Sequence, residues 1–145
     1  MSGEDFLSLA KSLLKTPTEA AYRSAVSRAY YAVFHVGIAF LAELGLKASE
    51  GPQAHAQLRA RVNNCGVPEL KNTYEQLYDL YKRRRFADYD LNITIFQAQA
   101  NVALMVASAG QIITTIKQCQ QSQALRNQIR NNIREYERKI NATHS

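Results

Sequence analysis

Apolar residues recur at intervals of three and four along almost the whole 145-residue chain, and this spacing constrains the fold more than any other feature. Residues three and four apart share one face of an α-helix, whereas a half-buried strand requires strict alternation. The spacing predicts that Tyr30, Phe34, Leu77 and Leu80 lie in or near the core. The sequence therefore predicts an all-α fold, an up-and-down four-helix bundle with a short extra helix.

Capping residues and glycines predict where the helices begin and end. Thr16 as the cap, Pro17 at the first helical position and Glu19 in a capping box predict a long second helix. This helix should run to about Leu44 and stop at Gly45. Three further segments are predicted to be helical: a short helix at 54–63, a helix from the Pro68 region to near Phe86, and a last pattern that begins at a possible capping box of Thr94 and Gln97.

We expect residues 1–145 to form a single domain, because this length suits one core and apolar residues make up 46% of the chain. The last helical pattern, 94–140, would extend ~70 Å if it were continuous. We therefore expect a break near Gly110 or within 118–123, with residues from about 120 to 145 forming a helical C-terminal extension. The extension carries an apolar stripe that requires a partner surface on this bundle or on a second subunit: Leu125, Ile129, Ile133, Tyr136 and Ile140.

Composition narrows the classes of partner. The formal charge of +6, from 18 Lys and Arg against 12 Asp and Glu, suits a nucleic acid, a nucleotide or an acidic protein. Cys65 and Cys119 lie far apart in the sequence, which favours free thiols. The three histidines are scattered, so the sequence predicts neither a metal site nor a cofactor. We find no signal-peptide pattern, and the apolar runs 29–46 and 102–116 look too short or too polar to span a membrane. The expected location is the cytoplasm, with no membrane contact.

A dense charge cluster lies where the fourth helix is predicted to end. Three arginines, two carboxylates and a phenol occur within eight positions: Arg83, Arg84, Arg85, Asp88, Tyr89 and Asp90. Exposed ion pairs contribute only ~0–1 kcal/mol, so such clustering indicates either a buried ion-pair network or a site for a polyanion.

A polar seam follows the second helix at spacings of four, three and four: Ser24, Arg28, Tyr31 and His35. Arg28 and His35 could hold a phosphate on this face. The alternative is structural, with Arg28 paired to Asp88 or Asp90 and His35 a hydrogen-bonded core histidine.

Two segments together resemble the HEPN family, in its small prokaryotic branch with RAYYAxFH and RxxADYD segments. They are SRAYYAVFH at 27–35 and RRFADYD at 84–90, with His55 and the helix bearing 77–80 between them. The resemblance covers about 20–92 and does not cover the segment after Cys119. It implies a bundle of four long helices plus a short one, often dimeric. It also implies RNA or nucleotide handling in toxin–antitoxin or antiviral modules, often beside a nucleotidyltransferase.

Many members of the family that this chain resembles are metal-independent ribonucleases. Their motif is an Arg, then four to six variable residues, then a His. Arg84 fills the Arg position here, but Tyr89 stands where the His is expected, and no histidine follows until His144. Cleavage needs a base with a pKa near neutrality, and a phenol titrates near ~10 against ~6.5 for imidazole. His35 could substitute only if the fold brings it beside Arg84, so the sequence favours binding over catalysis.

We therefore expect a homodimeric RNA- or nucleotide-binding protein of a toxin–antitoxin or defence module. The predicted binding residues are Arg28, Tyr31, His35, Arg83, Arg84, Arg85, Asp88 and Tyr89. Two alternatives stay open: a ribonuclease with an atypical Arg-x4-Tyr motif that uses Arg84, Tyr89 and His35, or a non-catalytic module that recruits a nucleotidyltransferase-type partner. Of the two arginines in these segments, Arg28 is expected to be structural because it lies mid-helix, and Arg84 functional because it ends a helix at a bend.

Overall fold

Helices joined by short connections make up the fold in the computed structural model, which describes residues 1–144, apart from the side chain of His144. In chain order they are α1 (Gly3–Leu13), α2 (Glu19–Glu43), α3 (Gln53–Asn63), α4 (Pro68–Lys71), α5 (Tyr74–Tyr89), a 3₁₀ turn (Ile95–Gln97), α6 (Gln99–Gln120) and α7 (Gln123–His144). This described part contains no strand, and the predicted all-α bundle is confirmed.

α2 is the central helix and packs against α1, α5 and α6. Its small residues Ala25 and Ala29 are completely buried, so neighbouring helices approach its backbone closely. The predicted core residues are also confirmed: Phe34 packs half-buried against the core, while three others are almost fully buried, namely Tyr30, Leu77 and Leu80. The site described below is built on α2 and on the helices that cover it.

α2 begins two residues later than predicted, because Thr18 rather than Thr16 is its cap. The Thr18 backbone is extended and its Oγ1 accepts a hydrogen bond from the backbone N of Ala21 at 3.2 Å. The predicted stop is confirmed, since Gly45 has a φ of +82° and follows the last turn of α2.

The predicted fourth helix divides into α4 and α5. Thr73 lies between them, and the Thr73 Oγ1 donates a hydrogen bond to the Leu70 carbonyl. α5 continues to Tyr89 instead of ending near Phe86, so the arginines at 83–85 lie inside a helix. The expected Thr94 and Gln97 capping box does not form, because 95–97 is a 3₁₀ turn and α6 begins at Gln99. Gly110 does not interrupt α6, and the break falls at 121–122, within the predicted 118–123.

α7 folds back onto the bundle of the same chain. Ile129 and Ile133 are completely buried, which places part of the predicted apolar stripe in the core. Arg61 Nε lies 3.0 Å from a carboxylate oxygen of Glu137, and Asn132 Nδ2 donates to the Cys65 carbonyl. The surface that the stripe requires is therefore supplied in cis.

By length and composition alone, α2 and α6 could each cross a membrane, which corrects the argument that both runs are too short or too polar. The buried core helices of soluble proteins pass the same test, and much of α2 is buried inside this bundle. The length and apolar composition of the two helices are therefore weak evidence for a membrane span. The absence of membrane contact stays a prediction.

Candidate nucleic-acid interface

The end of α5 is held in place by Arg23, a buried arginine of α2 that is 6% exposed. Its Nη1 donates to the carbonyls of Phe86, Ala87 and Asp90, and its Nη2 donates to the Ile93 carbonyl at 2.8 Å. These carbonyls belong to the last turn of α5 and the connection after it, where the helical donors run out; two of them, those of Phe86 and Asp90, also accept a backbone N–H. Arg23 is therefore the arginine that fixes the charge cluster in space.

Arg28 does not have the structural role that the sequence suggested. It is half-buried, and its guanidinium lies over the rings of Phe6 and Tyr31 at 5.2 and 5.6 Å. The expected pairing with a carboxylate of the cluster is wrong within the described residues, where Ser27 Oγ donates to Asp88 Oδ2 instead. The burial of Arg23 could have been predicted from the sequence. Residues 26, 30 and 33 form a buried face of α2, and Arg23 lies on the same face one turn earlier.

Arg84 is buried, not exposed at a bend, and is only 8% exposed. The expected position of Arg84 at the end of a helix was wrong, because α5 continues past Arg84 for more than one turn. Its Nη1 lies 3.4 Å from Asp88 Oδ2, and its guanidinium lies between 5.2 and 5.9 Å from three tyrosine ring centroids, those of Tyr30, Tyr31 and Tyr81. The Arg84 Nε is buried and has no hydrogen-bond partner in the described structure.

A histidine and an arginine of α3 complete the surroundings of Arg84. His55 Nδ1 shares a 2.6 Å hydrogen bond with the Tyr30 hydroxyl, and the guanidinium of Arg59 lies 4.2 Å from the ring centroid of Tyr81. We call Tyr30, His55, Arg59, Tyr81 and Arg84 the inner cluster. Three helices, α2, α3 and α5, contribute to it.

The two titratable groups of the inner cluster that share a hydrogen bond are both neutral at neutral pH. Burial lowers the pKa of His55, and the positive charges of Arg84 and Arg59 lower it further. Burial raises the pKa of Tyr30 well above its usual value of 10.0. The inner cluster therefore carries its positive charge on the two guanidinium groups.

The sequence interpretation passed over Arg59 and gave His55 no site role. The available signal was their spacing of four on a short helix, which places both on one face. His35, which the sequence favoured as a core histidine, is exposed and stacks on Phe6 with ring centroids 5.5 Å apart. Among the described residues it contacts the rings of Phe6, Tyr31 and Phe34 and forms no hydrogen bond with Arg84.

One face of α5 presents aromatic and basic side chains to solvent. Tyr78, Phe86 and Tyr89 are 36%, 45% and 76% exposed, and Lys82 and Arg85 stand between them at helical spacing. We call these five residues the α5 face. They line a surface cavity of about 460 Å³ together with two further residues, Tyr81 and Asp90. The inner cluster borders the α5 face through Arg59, whose guanidinium also lies over the Tyr78 ring at 4.7 Å.

The predicted binding residues thus divide among four places. Arg85 and Tyr89 lie on the α5 face, and Arg84 lies beneath it with Asp88. Arg83 points to a different groove, between α5 and α6, and its Nε lies 3.6 Å from Asp79. The structure brings the remaining three together on α2, where Arg28 and His35 flank the half-buried Tyr31 ring. Tyr31 also contacts Arg84, which connects this group to the inner cluster.

The described part of the chain contains neither a cluster of metal-ligating side chains nor a reactive thiol. No group of three His, Cys, Asp or Glu side chains within these residues could hold a metal ion. Cys65 and Cys119 are free and buried, and burial raises the pKa of both thiols, that of Cys119 to about 11. Both are therefore protonated at neutral pH and poor nucleophiles.

Fold and site together define a helical-bundle protein with an aromatic and basic face on one helix, beside the buried Arg84 and the half-buried Arg59. The family model described as HEPN domain matches residues 2–119, and this chain belongs to the HEPN domain family. A search of curated proteins finds no match, and a search of solved structures finds none either. The resemblance inferred from the two sequence segments is confirmed, and α7 lies beyond the matched residues.

Proposed function

We propose that this HEPN protein binds single-stranded RNA or a nucleotide on the α5 face. The carrying observation is that three exposed aromatic rings and two exposed cations share one side of a single helix. Bases of any sequence can stack on such rings, and each stacked base contributes ~1–3 kcal/mol. Lys82 and Arg85 line the same cavity as these rings and can neutralise phosphates of the bound strand.

The rigidity of the supporting helix favours this surface for binding. Arg23 holds the last turn of α5 through carbonyls, so Phe86 and Tyr89 project from a fixed backbone. Aromatic side chains have few rotatable bonds, and a fixed platform loses little entropy when a base stacks on it. Binding is favoured over cleavage because Tyr89, which stands where the ribonuclease motif has a histidine, is largely exposed, and a phenol is a much weaker general base than an imidazole at neutral pH.

The wider setting that we propose follows the family resemblance: a cytoplasmic prokaryotic toxin–antitoxin or defence module. An interaction module is the second candidate, because Leu91 and Leu104 are apolar and 77% and 72% exposed. Such residues suit contact with a second copy or with a nucleotidyltransferase-type protein.

RNA binding is tested by fluorescence anisotropy with a labelled, unstructured 12-nucleotide RNA, titrated at several salt concentrations without added metal. Tyr89→Ala should weaken binding ~5- to 100-fold through the loss of one stacking platform. Lys82→Ala should reduce the slope of log affinity against log salt by about 1. Lys47→Ala removes an exposed cation from the connection after α2 and serves as the matched control, with no change expected.

RNA binding that is absent at low salt would refute the RNA form of the proposal, and RNA affinity that is equal for Tyr89→Ala and the wild type would refute the α5 face as the binding surface. Gel analysis of the same mixtures tests the ribonuclease alternative, since a binding protein leaves the RNA intact. Light scattering of the RNA-free protein tests the interaction module, which predicts a dimer that Leu104→Ser dissociates.

A further inference from the structure

The inner cluster holds more positive than negative charge. Two guanidinium groups, those of Arg59 and Arg84, lie 4.2 and 5.9 Å from the ring centroid of Tyr81. Among the described residues, the carboxylate that pairs with Arg84 is that of Asp88, at 3.4 Å, and it also accepts a hydrogen bond from Ser27. Within residues 1–144, Arg59 forms neither an ion pair nor a hydrogen bond. Buried charge without a partner is costly, so this arrangement favours an added anion.

Both arginines also hold donors that the protein does not use. Arg84 Nε and Arg59 Nη1 are buried, and neither has a hydrogen-bond partner in the described structure. Aromatic rings cover the flat faces of the two guanidinium groups, but the N–H groups on their edges still require acceptors. Buried donors in native proteins are seldom left unpaired, which indicates that a ligand supplies the acceptors.

The position of these donors indicates which class of ligand they bind. Tyr81 contacts both arginines and also lines the cavity of the α5 face, so one ring separates the two regions. Two tyrosines that contact Arg84, Tyr31 and Tyr81, are half-buried. A phosphate at the end of a strand can enter past such rings on a single ester bond. A phosphate within a strand would require room for a ribose on both sides.

On the basis of the proposed RNA or nucleotide binding, we propose that the inner cluster binds a phosphomonoester, with the attached nucleotide stacked on the α5 face. Two guanidinium groups suit a phosphate dianion, because each can donate two parallel N–H bonds to its oxygens. The ligand class is therefore a strand with a terminal phosphate, or a mononucleotide. Arg59 and Arg84 hold the phosphate, and the α5 face holds the bases.

The test is a competition experiment with the full-length protein and the labelled RNA described above. The unlabelled competitors are one octamer sequence in three forms: with a 5′-phosphate, with a 3′-phosphate and with hydroxyls at both ends. One phosphorylated form should compete at least about tenfold better than the hydroxyl form, as expected for hydrogen bonds to a charged group. Arg59→Gln should abolish this preference while changing the affinity for the hydroxyl form by no more than about twofold.

Arg59 is chosen because it is half-buried and without an ion pair, whereas Arg84→Gln also breaks the contact with Asp88. Circular dichroism verifies that the variant folds. Equal competition by all three octamers would overturn the inference and leave the proposed RNA binding intact. An equal loss of affinity for all three forms in Arg59→Gln would overturn it as well, since Arg59 would then contact strand phosphates generally.

If the protein binds no RNA, AMP and adenosine decide the question by isothermal titration. Binding of AMP but not adenosine, lost in Arg59→Gln, would support a mononucleotide as the phosphomonoester while refuting the RNA form of the proposed function. Absence of AMP binding in that case would overturn the inference.

Discussion

Replacement of Arg23 by methionine should destabilise the protein more than the same replacement of Arg28, the other arginine on this helix. Methionine keeps an unbranched side chain of comparable length but removes four hydrogen bonds to the carbonyls of residues 86, 87, 90 and 93. The bond to the Ala87 carbonyl is buried and the other three are partly buried, so water replaces them incompletely.

The magnitude follows from the number of bonds lost. At ~1 kcal/mol for each hydrogen bond, the free energy of unfolding should fall by about 4 kcal/mol. This is a large part of the ~5–15 kcal/mol that keeps a typical domain folded. In a chain of this length the melting temperature should fall by roughly 8–16 °C.

Urea denaturation followed by circular dichroism measures the change. Arg28→Met is the matched control, because Arg28 lies on the same helix and contacts rings but no carbonyl of the cluster. It should cost no more than ~1 kcal/mol, the value of an exposed cation–π contact. Arg23→Lys should fall between the two, since an ammonium can satisfy only some of the four carbonyls. A loss below ~1 kcal/mol in Arg23→Met, or equal losses in both methionine variants, would refute the assignment of Arg23 as the anchor of α5.

Three further predictions concern the rest of the fold. Deletion of 123–145 should lower the free energy of unfolding by ~3–6 kcal/mol, because α7 places two isoleucines fully in the core; unchanged melting would contradict docking in cis. The pKa of His55 is lowered below its ordinary 6.5, so its contribution to stability is complete above about pH 6.5 and is lost as the pH falls through the folded value. His55→Asn should therefore flatten the fall in urea midpoint below pH 6.5; a slope equal to that of the wild type would exclude His55 as the source. Gly66→Ala should destabilise by at least ~1–2 kcal/mol, because φ is +70° and a Cβ would clash with the side-chain amide of Asn132. Gly110→Ala, in the interior of α6 with its nearest contact at 4.0 Å, should instead be neutral or stabilise by ~0.5–1 kcal/mol, and the reverse order of melting temperatures would contradict both assignments.

The helices and most of the core could be predicted from the sequence because their signal is local. Spacings of three and four place Tyr30 and Leu77 on buried faces whatever the neighbouring helix is. The break before α7 could be predicted for a similar reason, since a helix through 94–140 would be far longer than its neighbours. Helix ends were less accurate. Two threonines two residues apart can both cap α2, and only the extended backbone at Thr18 selects one of them.

The roles of the arginines could not be predicted in this way. Whether Arg23, Arg28 or Arg84 is buried depends on the surface that covers that part of its helix. The carbonyls that fix Arg23 lie 63 to 70 residues away in the chain. The end of α5 misled the prediction for Arg84, because a helix extended by three residues turns an expected bend into a buried turn.

The sequence by itself determined the all-α class, the positions of the long helices and the family, because each depends on spacing within a segment or on short motifs. The tertiary structure alone determined that His55 of α3 and Arg84 of α5 both contact Tyr30 of α2, and that Arg59 of α3 joins Arg84 at the Tyr81 ring. It also determined that the stripe of α7 is covered in cis. Contacts between helices depend on how whole faces pack in three dimensions, and spacing within one helix does not specify which other helix its polar residues will meet.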